Sequence, residues 1–406
     1  MNILFISDRQ ALPTFGGIER VISNLARQFS LDNHQCYHAY FSLINEKELP
    51  NPLFRDELVL TDDFQTKIEN LIVANHIDFV INNCIVKNDI KVIMPALQAI
   101  KKRVPKTKFC FLYHNSCVGA ERLHCDYGFY LKRLSCKSWK KIEVLASVSK
   151  AVIFDIFPHI IKKYFQKKYR RISDNEPNLV LLSEHYKQNF ANITGLGEIS
   201  PQWHAIGNSL CFNLDNDIDF KAKERIVLFV ARLDEDQKRL SKALEIWDEL
   251  QKKSSDNSLH KWSFVIVGDG NDKAIYEDMV TKRHIPNVQF EGWQDSLPYY
   301  LKASIFVMTS IVEGFPMTLM EAKQCGCVPI AFDSFEAVHD VIENGVDGFI
   351  VTYNDKESFI ERLVSLMEND DLRNSMAKKA IITAQKFSVD KIAQEWYNYY
   401  EKLTKA

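Results

Sequence analysis

The feature that most constrains this chain is an alternation. Short runs of β-branched and aromatic residues are separated by longer stretches with helical spacing, and the whole rhythm occurs twice. That pattern is the signature of βαβ units and a parallel sheet. In the first half the predicted strands are 2–7, 36–42, 77–82, 108–114 and 179–183, with helices such as 18–30 and 64–75 between them. In the second half they are 226–231, 263–268, 304–309 and 328–332, with helices near 238–252, 316–325 and 355–369. At 406 residues the chain exceeds what one hydrophobic core supports. It therefore reads as an α/β protein of two domains, 1–207 and 223–385, joined by a linker at 208–222 where periodicity stops and polar turn residues gather. The last segment, 386–406, carries Trp396, Tyr397, Tyr399 and Tyr400 and is expected to form a helix packing back on the N-terminal domain.

Composition removes several function classes. The 51 basic and 53 acidic residues leave a net charge of −2, so no global field attracts nucleic acid, and a basic surface has to be local. Met1-Asn2-Ile3-Leu4-Phe5-Ile6 has no basic leader and no small-residue cleavage site, and reads as a first strand rather than a signal peptide. No apolar run approaches the roughly 20 residues that span a bilayer. The expectation is a cytoplasmic chain, peripheral on the inner face of the membrane where its acceptor requires it. Nine cysteines are an odd number, and Cys110, Cys117, Cys125 and Cys136 lack the paired spacing of a zinc site. Cys325 and Cys327 sit in a turn entering a strand and read as buried thiols. Asp215, Asn216, Asp217 and Asp219 resemble a metal-holding DxD, but no apolar strand precedes them. A solvated linker is the preferred reading, and no metal site is expected.

In parallel sheets ligands bind beyond the carboxyl ends of strands, so the loops there carry the search. Ser310-Ile311-Val312-Glu313-Gly314-Phe315-Pro316-Met317-Thr318 follows the predicted strand 304–309 and opens a helix that contains Glu321. Gly314 allows close backbone approach, Pro316 suits a first helical turn, and the amides of Met317 and Thr318 are placed to receive a phosphate. Glu313 and Glu321 then address different hydroxyls of one elongated ligand, or are a helix-terminal charge and a surface carboxylate. After 226–231 come Arg232 and Lys238, two cations suited to a diphosphate or, equally, parts of a charged surface loop. Gly268, within Gly268-Asp269-Gly270, belongs to an incomplete glycine fingerprint. Gly16 and Gly17 open a helix after the first strand, and His114 ends the strand 108–114.

Together these residues resemble the retaining glycosyltransferases of family four, glycosyl transferases group 1. The Glu313 to Glu321 spacing, the Arg232 and Lys238 pair, Gly16-Gly17-Ile18-Glu19-Arg20, His114, Ala331-Phe332-Asp333-Ser334 and Asn344-Gly345-Val346-Asp347-Gly348 all fall where that family has its motifs. One departure is Lys238-Arg239, where many members have lysine followed by glycine. The resemblance implies the GT-B fold, two Rossmann-like domains facing each other across a cleft. It implies a hexosyl- or N-acetylhexosaminyltransferase for surface polysaccharide or glycoconjugate synthesis, with a nucleotide diphosphate sugar as co-substrate and no cofactor. Arg232 and Lys238 would hold the diphosphate, Glu321 the ribose, and Glu313 and His114 the transferred sugar, with Gly16, Gly17, Gly268, Gly314, Phe315, Pro316, Met317 and Thr318 lining the donor. Two other readings remain open on the same fold, a sugar-nucleotide epimerase and a noncatalytic nucleotide-sugar binder. The acceptor would be a glycan or lipid-linked glycan. Residues 156–171 place Phe157, Ile160, Ile161, Tyr164, Phe165 and Tyr169 on one helix side and lysines mostly on the other, and are either a surface that docks on an anionic membrane or, equally, a domain helix whose aromatic stripe enters the core.

Overall fold

The computed structural model of the protein describes residues 1–13, 16–43, 51–84, 92–116, 127–136, 139–214, 218–253 and 259–405. The chain forms two compact units. The first consists of Met1–Cys117, Tyr164–Cys211 and Lys386–Ala406, the second of Val118–Lys163 and Phe212–Gln385. The sequence reading ran the first domain unbroken to 207, whereas 118–163 groups with the second unit.

The first unit contains β1 (Asn2–Arg9), β2 (Gln35–Ser42), β3 (Asp56–Val59), β4 (Phe79–Asn82), β5 (Lys108–Tyr113), β6 (Leu179–Leu181) and β7 (His204–Ala205). The second contains β8 (Glu224–Val230), β9 (Ser263–Val267), β10 (Val288–Gly292), β11 (Ala303–Met308), β12 (Val328–Asp333) and β13 (Phe349–Thr352). The sheet orders are β3-β2-β1-β4-β5-β6-β7 and β10-β9-β8-β11-β12-β13. Neighbouring strands are parallel throughout, with Ile6 opposite Asn82 and Phe306 opposite Leu228 at the two central pairs. Each sheet thus reverses its winding once, between β1 and β4 and between β8 and β11. At those switch points the crossover helices leave toward opposite faces and open a crevice at the strand ends. Both units are Rossmann-like, as the resemblance implies.

The central strands are apolar on both faces because helices cover both. β11 is buried at all six residues and β4 at all four. Helix Met317–Gln324, which follows β11, is fixed from behind by a buried ion pair. Lys323 Nζ donates 2.7 Å to Asp347 Oδ2 and also to the Val341 carbonyl, while Thr383 Oγ1 donates 2.5 Å to the same carboxylate. Both charges are 1% exposed, so each depends on the other to offset its desolvation.

The aromatic terminal helix Val389–Lys405 belongs to the first unit. Trp396 and Tyr400 pack on Phe79 of β4, and Tyr399 stacks on His204 of β7. Tyr397 packs on Phe29 and donates 2.6 Å to Asp32, at the end of helix Gly17–Leu31. Truncating the buried Trp396 to alanine should destabilise the first unit by about 3–5 kcal/mol, the usual range for a deleted core aromatic. Urea unfolding followed on the first unit checks this; an unchanged midpoint would show that the helix end is dispensable.

Candidate functional site

At the second unit's switch point the loops after β8 and β11 are sewn together. Ile311 N–H donates 2.8 Å to the Gln237 carbonyl, and Gln237 Nε2 donates 3.2 Å to the Val312 carbonyl. Thr309 Oγ1 donates to the carbonyls of Lys238 and Arg239 at 3.2 and 2.9 Å. Ser334, after β12, donates 2.5 Å to the Ser310 carbonyl. These bonds bring together the two motifs that lie about 75 positions apart in sequence: Lys238 Nζ sits 2.6 Å from Glu313 Oε1, with both side chains largely withdrawn from solvent. Arg232 is different. It is mostly exposed and rests one guanidinium nitrogen on Asp234 and Gln237, 3.0 and 3.3 Å away. Its fork is therefore free to swing toward an anion.

Glu313 and Glu321 are 7% and 1% exposed, which removes the surface-carboxylate alternative for both. Glu321 lies one turn into helix Met317–Gln324, whose N-cap is Pro316. Phe315 and Pro316 are buried, while Gly314, Met317 and Thr318 are half-buried at the loop mouth. The Met317 amide, expected to face a phosphate, instead donates 2.9 Å to the Phe315 carbonyl, and the amides of Leu319 and Met320 both turn to the Pro316 carbonyl. The tight Phe-Pro turn closes on itself and uses those donors.

Gly268 and Gly270 have a local reason to lack side chains. A Cβ on Gly268, at φ +142°, would come 1.9 Å from the Ala231 carbonyl, and one on Gly270 would come 2.3 Å from that of Leu233. The pair lets the loop after β9 lie directly on the 231–233 backbone, where Leu233 N–H donates 2.9 Å to the Asp269 carbonyl.

Several supporting residues were not legible from sequence. Arg133, on helix Tyr127–Ser135, is buried and grips two carboxylates: Asp272 through Nε and Nη2 at 2.9 and 2.6 Å, and Asp236 through Nη1 at 2.9 Å. Trp139 Nε1 donates 2.8 Å to Asp272 and its ring lies under the guanidinium, while the Glu235 amide donates 2.9 Å to Asp272. Glu235 itself is buried; burial pushes its carboxyl up, against hydrogen bonds from Ser241 and from Tyr276, whose hydroxyl donates at 2.9 Å. The stretch between Arg232 and Lys238 is thereby held at three successive points. Asp272 follows the glycine pair by two positions, which hints at a role; nothing in the sequence marks Arg133.

In the first unit, His114 follows β5, and its Nε2 lies 2.9 Å from Asn83 Oδ1 beyond β4, beside the switch point. Asn83 Nδ2 donates 3.0 Å to the Ile81 carbonyl, so Oδ1 is the atom offered to the ring. Nε2 therefore carries the proton and Nδ1 the lone pair. Burial drives the imidazole pKa down to about 3, so the ring is neutral at pH 7. Gly16 caps helix Gly17–Leu31 at φ +68°, where a Cβ would strike the Glu19 carboxylate, and a Cβ on Gly17 would meet nothing within 4 Å. Burial is also the first cause raising the Glu19 carboxyl.

Asp219 caps the short turn Phe220–Ala222, and Asp215 to Asp217 lie outside the described residues, as do Cys117 and Cys125. Among the described residues no group of three or more His, Cys, Asp or Glu is arranged to hold a metal ion. Cys325 and Cys327 are buried, with thiols pushed up by that burial. The expected lipid-facing stripe divides: Phe165 and Tyr169 are core side chains packed near Tyr113 and Phe190, while Phe157, Ile160 and Tyr164 stay exposed. The side chain of Ile161 lies outside the described set.

Residues 212–383 match the family model described as Glycosyl transferases group 1. Over 226 residues the chain is 31% identical to the amylovoran biosynthesis glycosyltransferase AmsD of Erwinia amylovora, covering 54% of this chain and 60% of that protein. Over 121 residues it is 38% identical to the UDP-Gal:alpha-D-GlcNAc-diphosphoundecaprenol alpha-1,3-galactosyltransferase of Escherichia coli, covering 28% and 30%. The chain thus matches less than two thirds of the length of these relatives. HepE of Anabaena, solved with UDP and glucose, superposes with a TM-score of 0.68 at 16% identity over the full length of both chains, a likeness of fold.

Two outcomes test this geometry. Arg239 stands where a glycine was expected, with φ +52°, a left-handed conformation that costs a side-chain-bearing residue roughly 1 kcal/mol. Arg239→Gly should therefore melt about 2–4 °C above Arg239→Ala, since both lose the guanidinium and only the first relieves the backbone; equal melting temperatures would show that the strain is absorbed elsewhere. For His114 the folded pKa lies below the unfolded one, so stability is complete above about pH 6.5 and is lost on acidification toward pH 3. Urea midpoints measured at pH 7.5 and 5 should fall less for His114→Gln than for the wild type.

Proposed function

We propose that the protein is a retaining glycosyltransferase that moves a sugar from a nucleotide diphosphate sugar to a glycan or lipid-linked acceptor, a reading supported by the match of residues 212–383 to the glycosyl transferases group 1 model. The observation that carries the reading is the Lys238–Glu313 pair, 2.6 Å apart beside Arg232, at the strand ends of the switch point. The relatives set the context: AmsD is named for amylovoran biosynthesis and the galactosyltransferase for a diphosphoundecaprenol acceptor. Surface polysaccharide or glycoconjugate assembly is the corresponding setting, with a hexosyl or N-acetylhexosaminyl donor.

When the bond between the anomeric carbon and the diphosphate oxygen breaks, the electron pair leaves with the phosphate. Charge grows on the leaving group, and Lys238 and Arg232 are the cations that would stabilise it. The Thr318 amide, at the first turn of its helix, is the backbone donor that would join them, since that of Met317 is committed to Phe315. Two cations and a helix end supply this stabilisation without calling on a divalent ion. Glu321, buried one turn further in, would accept from the ribose hydroxyls. Glu313 would face the transferred sugar, and His114 would offer the Nδ1 lone pair to a sugar hydroxyl. Glu313 is the one candidate nucleophile and its Oε1 already serves Lys238, so a front-face route is favoured, in which no carboxylate has to bond carbon: the acceptor hydroxyl approaches on the side the diphosphate leaves, and its proton passes to the departing oxygen.

Lys238→Met should lower kcat by about 100-fold or more while the fold persists. Glu321→Ala should weaken binding of the bare nucleoside diphosphate by about tenfold, and Glu313→Gln should leave that affinity nearly unchanged while depressing kcat. Calorimetry and steady-state transfer assays separate these; matched affinity losses in the two glutamate variants would contradict the division of roles. Incubating donor without acceptor tests the alternatives, because an epimerase would convert it and a noncatalytic binder would return it unchanged even with a broad acceptor panel.

A further inference from the structure

The loop after β8 holds carboxylates as well as cations, and Asp234 is its hub. Asp234 Oδ2 accepts from Arg232 Nη2 at 3.0 Å, its Oδ1 accepts from the Asp236 amide at 3.0 Å, and its carbonyl accepts from the Lys238 amide at 2.8 Å. Asp236 thus stands four positions from Arg232 in the same short loop. An ionised carboxylate there repels an incoming diphosphate and competes with it for the guanidinium.

Arg133 keeps Asp236 from that role. Its Nη1 donates to both Asp236 oxygens, at 2.9 and 3.0 Å, and the Tyr130 hydroxyl adds a 3.4 Å contact to Oδ1. The guanidinium itself is held by the core. Nε and Nη2 are committed to Asp272 at 2.9 and 2.6 Å, and the ring centres of Trp139, Tyr130 and Phe129 lie 4.5, 5.1 and 5.3 Å from its central carbon. Phe129 belongs to the hydrophobic core of the second unit. Because the fork is planar, pinning two of its nitrogens fixes the direction of the third. Asp272 alone would neutralise this buried arginine, so the third nitrogen is what a purely structural account leaves over. Arg133 is 2% exposed and the Asp236 side chain 41%. The pair is therefore a fixed cation gripping a loop carboxylate, unlike the surface ion pairs between two mobile side chains that contribute little.

We propose that Arg133 is a positioning residue for the donor diphosphate: it holds and neutralises the Asp236 carboxylate, so that Arg232 meets the diphosphate without a competitor. The identity of the ligand rests on the proposed function. The effect of Arg133 on that ligand passes through Asp236 and Arg232.

Calorimetry of the full chain with UDP, GDP, ADP, CDP and dTDP, and with the monophosphate matching whichever of them binds, tests the proposal. Arg133→Lys keeps a cation against Asp272, to which Trp139 and the Glu235 amide still donate, but offers one ammonium where the fork had three separate nitrogens. It should weaken the diphosphate about tenfold and the monophosphate only about twofold, whereas general damage to the fold weakens both alike. Adding Asp236→Asn to Arg133→Lys should restore the diphosphate affinity to within about threefold of wild type, because the released charge is then gone. Asp236→Asn alone, which leaves the core around Asp272 intact, should stay within about twofold of wild type, since Arg133 already neutralises that carboxylate. An Arg133→Lys variant that binds the diphosphate like wild type, or loses both nucleotides equally, overturns the proposal. So does a double variant no better than Arg133→Lys, or an Asp236→Asn variant that binds the diphosphate several-fold more tightly. In each of those cases the wild type still binds a nucleoside diphosphate and the proposed function stands; a wild type that binds none of the five overturns both.

Discussion

The structure depends on a constraint of parallel sheets: helices that cross over in opposite directions from adjacent strands cannot cover the space between their starting points. In the second unit that gap opens between β8 and β11, and both charged loops grow from those two strands. In the first it opens between β1 and β4, beside the Gly16–Gly17 turn and Asn83. Arg232, Lys238 and Glu313 lie in the loops that follow the two switch-point strands, Gly268 follows β9, His114 follows β5, and Glu321 lies one turn inside helix Met317–Gln324.

Charge is handled in two distinct ways around these loops. Where it supports structure it is buried and saturated: Arg133 between Asp272 and Asp236, Lys323 on Asp347, Glu235 under Ser241 and Tyr276. Removing one partner from such a group leaves an uncompensated charge in a poor solvent, so these residues tolerate little change. Where the proposed function assigns charge to a ligand, it is left partly unsatisfied. Arg232 is exposed with weak local contacts, and Lys238 has one carboxylate for three donors. On the proposed function, a diphosphate would meet cations that still have donors to offer it.

The sequence made the central architecture readable because a strand covered on both faces has to be apolar throughout. The strands it did not reveal, β3, β7, β10 and β13, are the outermost four of the two sheets. They are two to five residues long; β3, β7 and β10 mix polar residues into the run, and β13, though mostly apolar, is only four residues long. The site followed the same rule. Glu313, Lys238, Arg232 and His114 stand directly after predicted strands and could be found by position, whereas Arg133 reaches Asp272 across 139 positions and no local pattern encodes that meeting. Met317 was misjudged for a related reason: its donor depends on how tightly Phe315 and Pro316 turn, and spacing does not report torsion angles. At Arg239, where many members of the resembled family have glycine, the structure holds a left-handed backbone at φ +52°, a torsion that the sequence did not report.

The interrupted layout of the first unit sets the order in which the protein can mature on a ribosome. Its sheet is missing β6 and β7 until residue 205 has been made, and its core still lacks Trp396 and Tyr399 until almost the whole chain has emerged. The second unit requires nothing beyond Gln385. The first unit therefore closes only after the second has been made, with the apolar faces of β4 and β5 awaiting helix Val389–Lys405. During that interval the nascent chain offers a sticky, half-built sheet to its surroundings, so chaperone demand should be concentrated on the first unit.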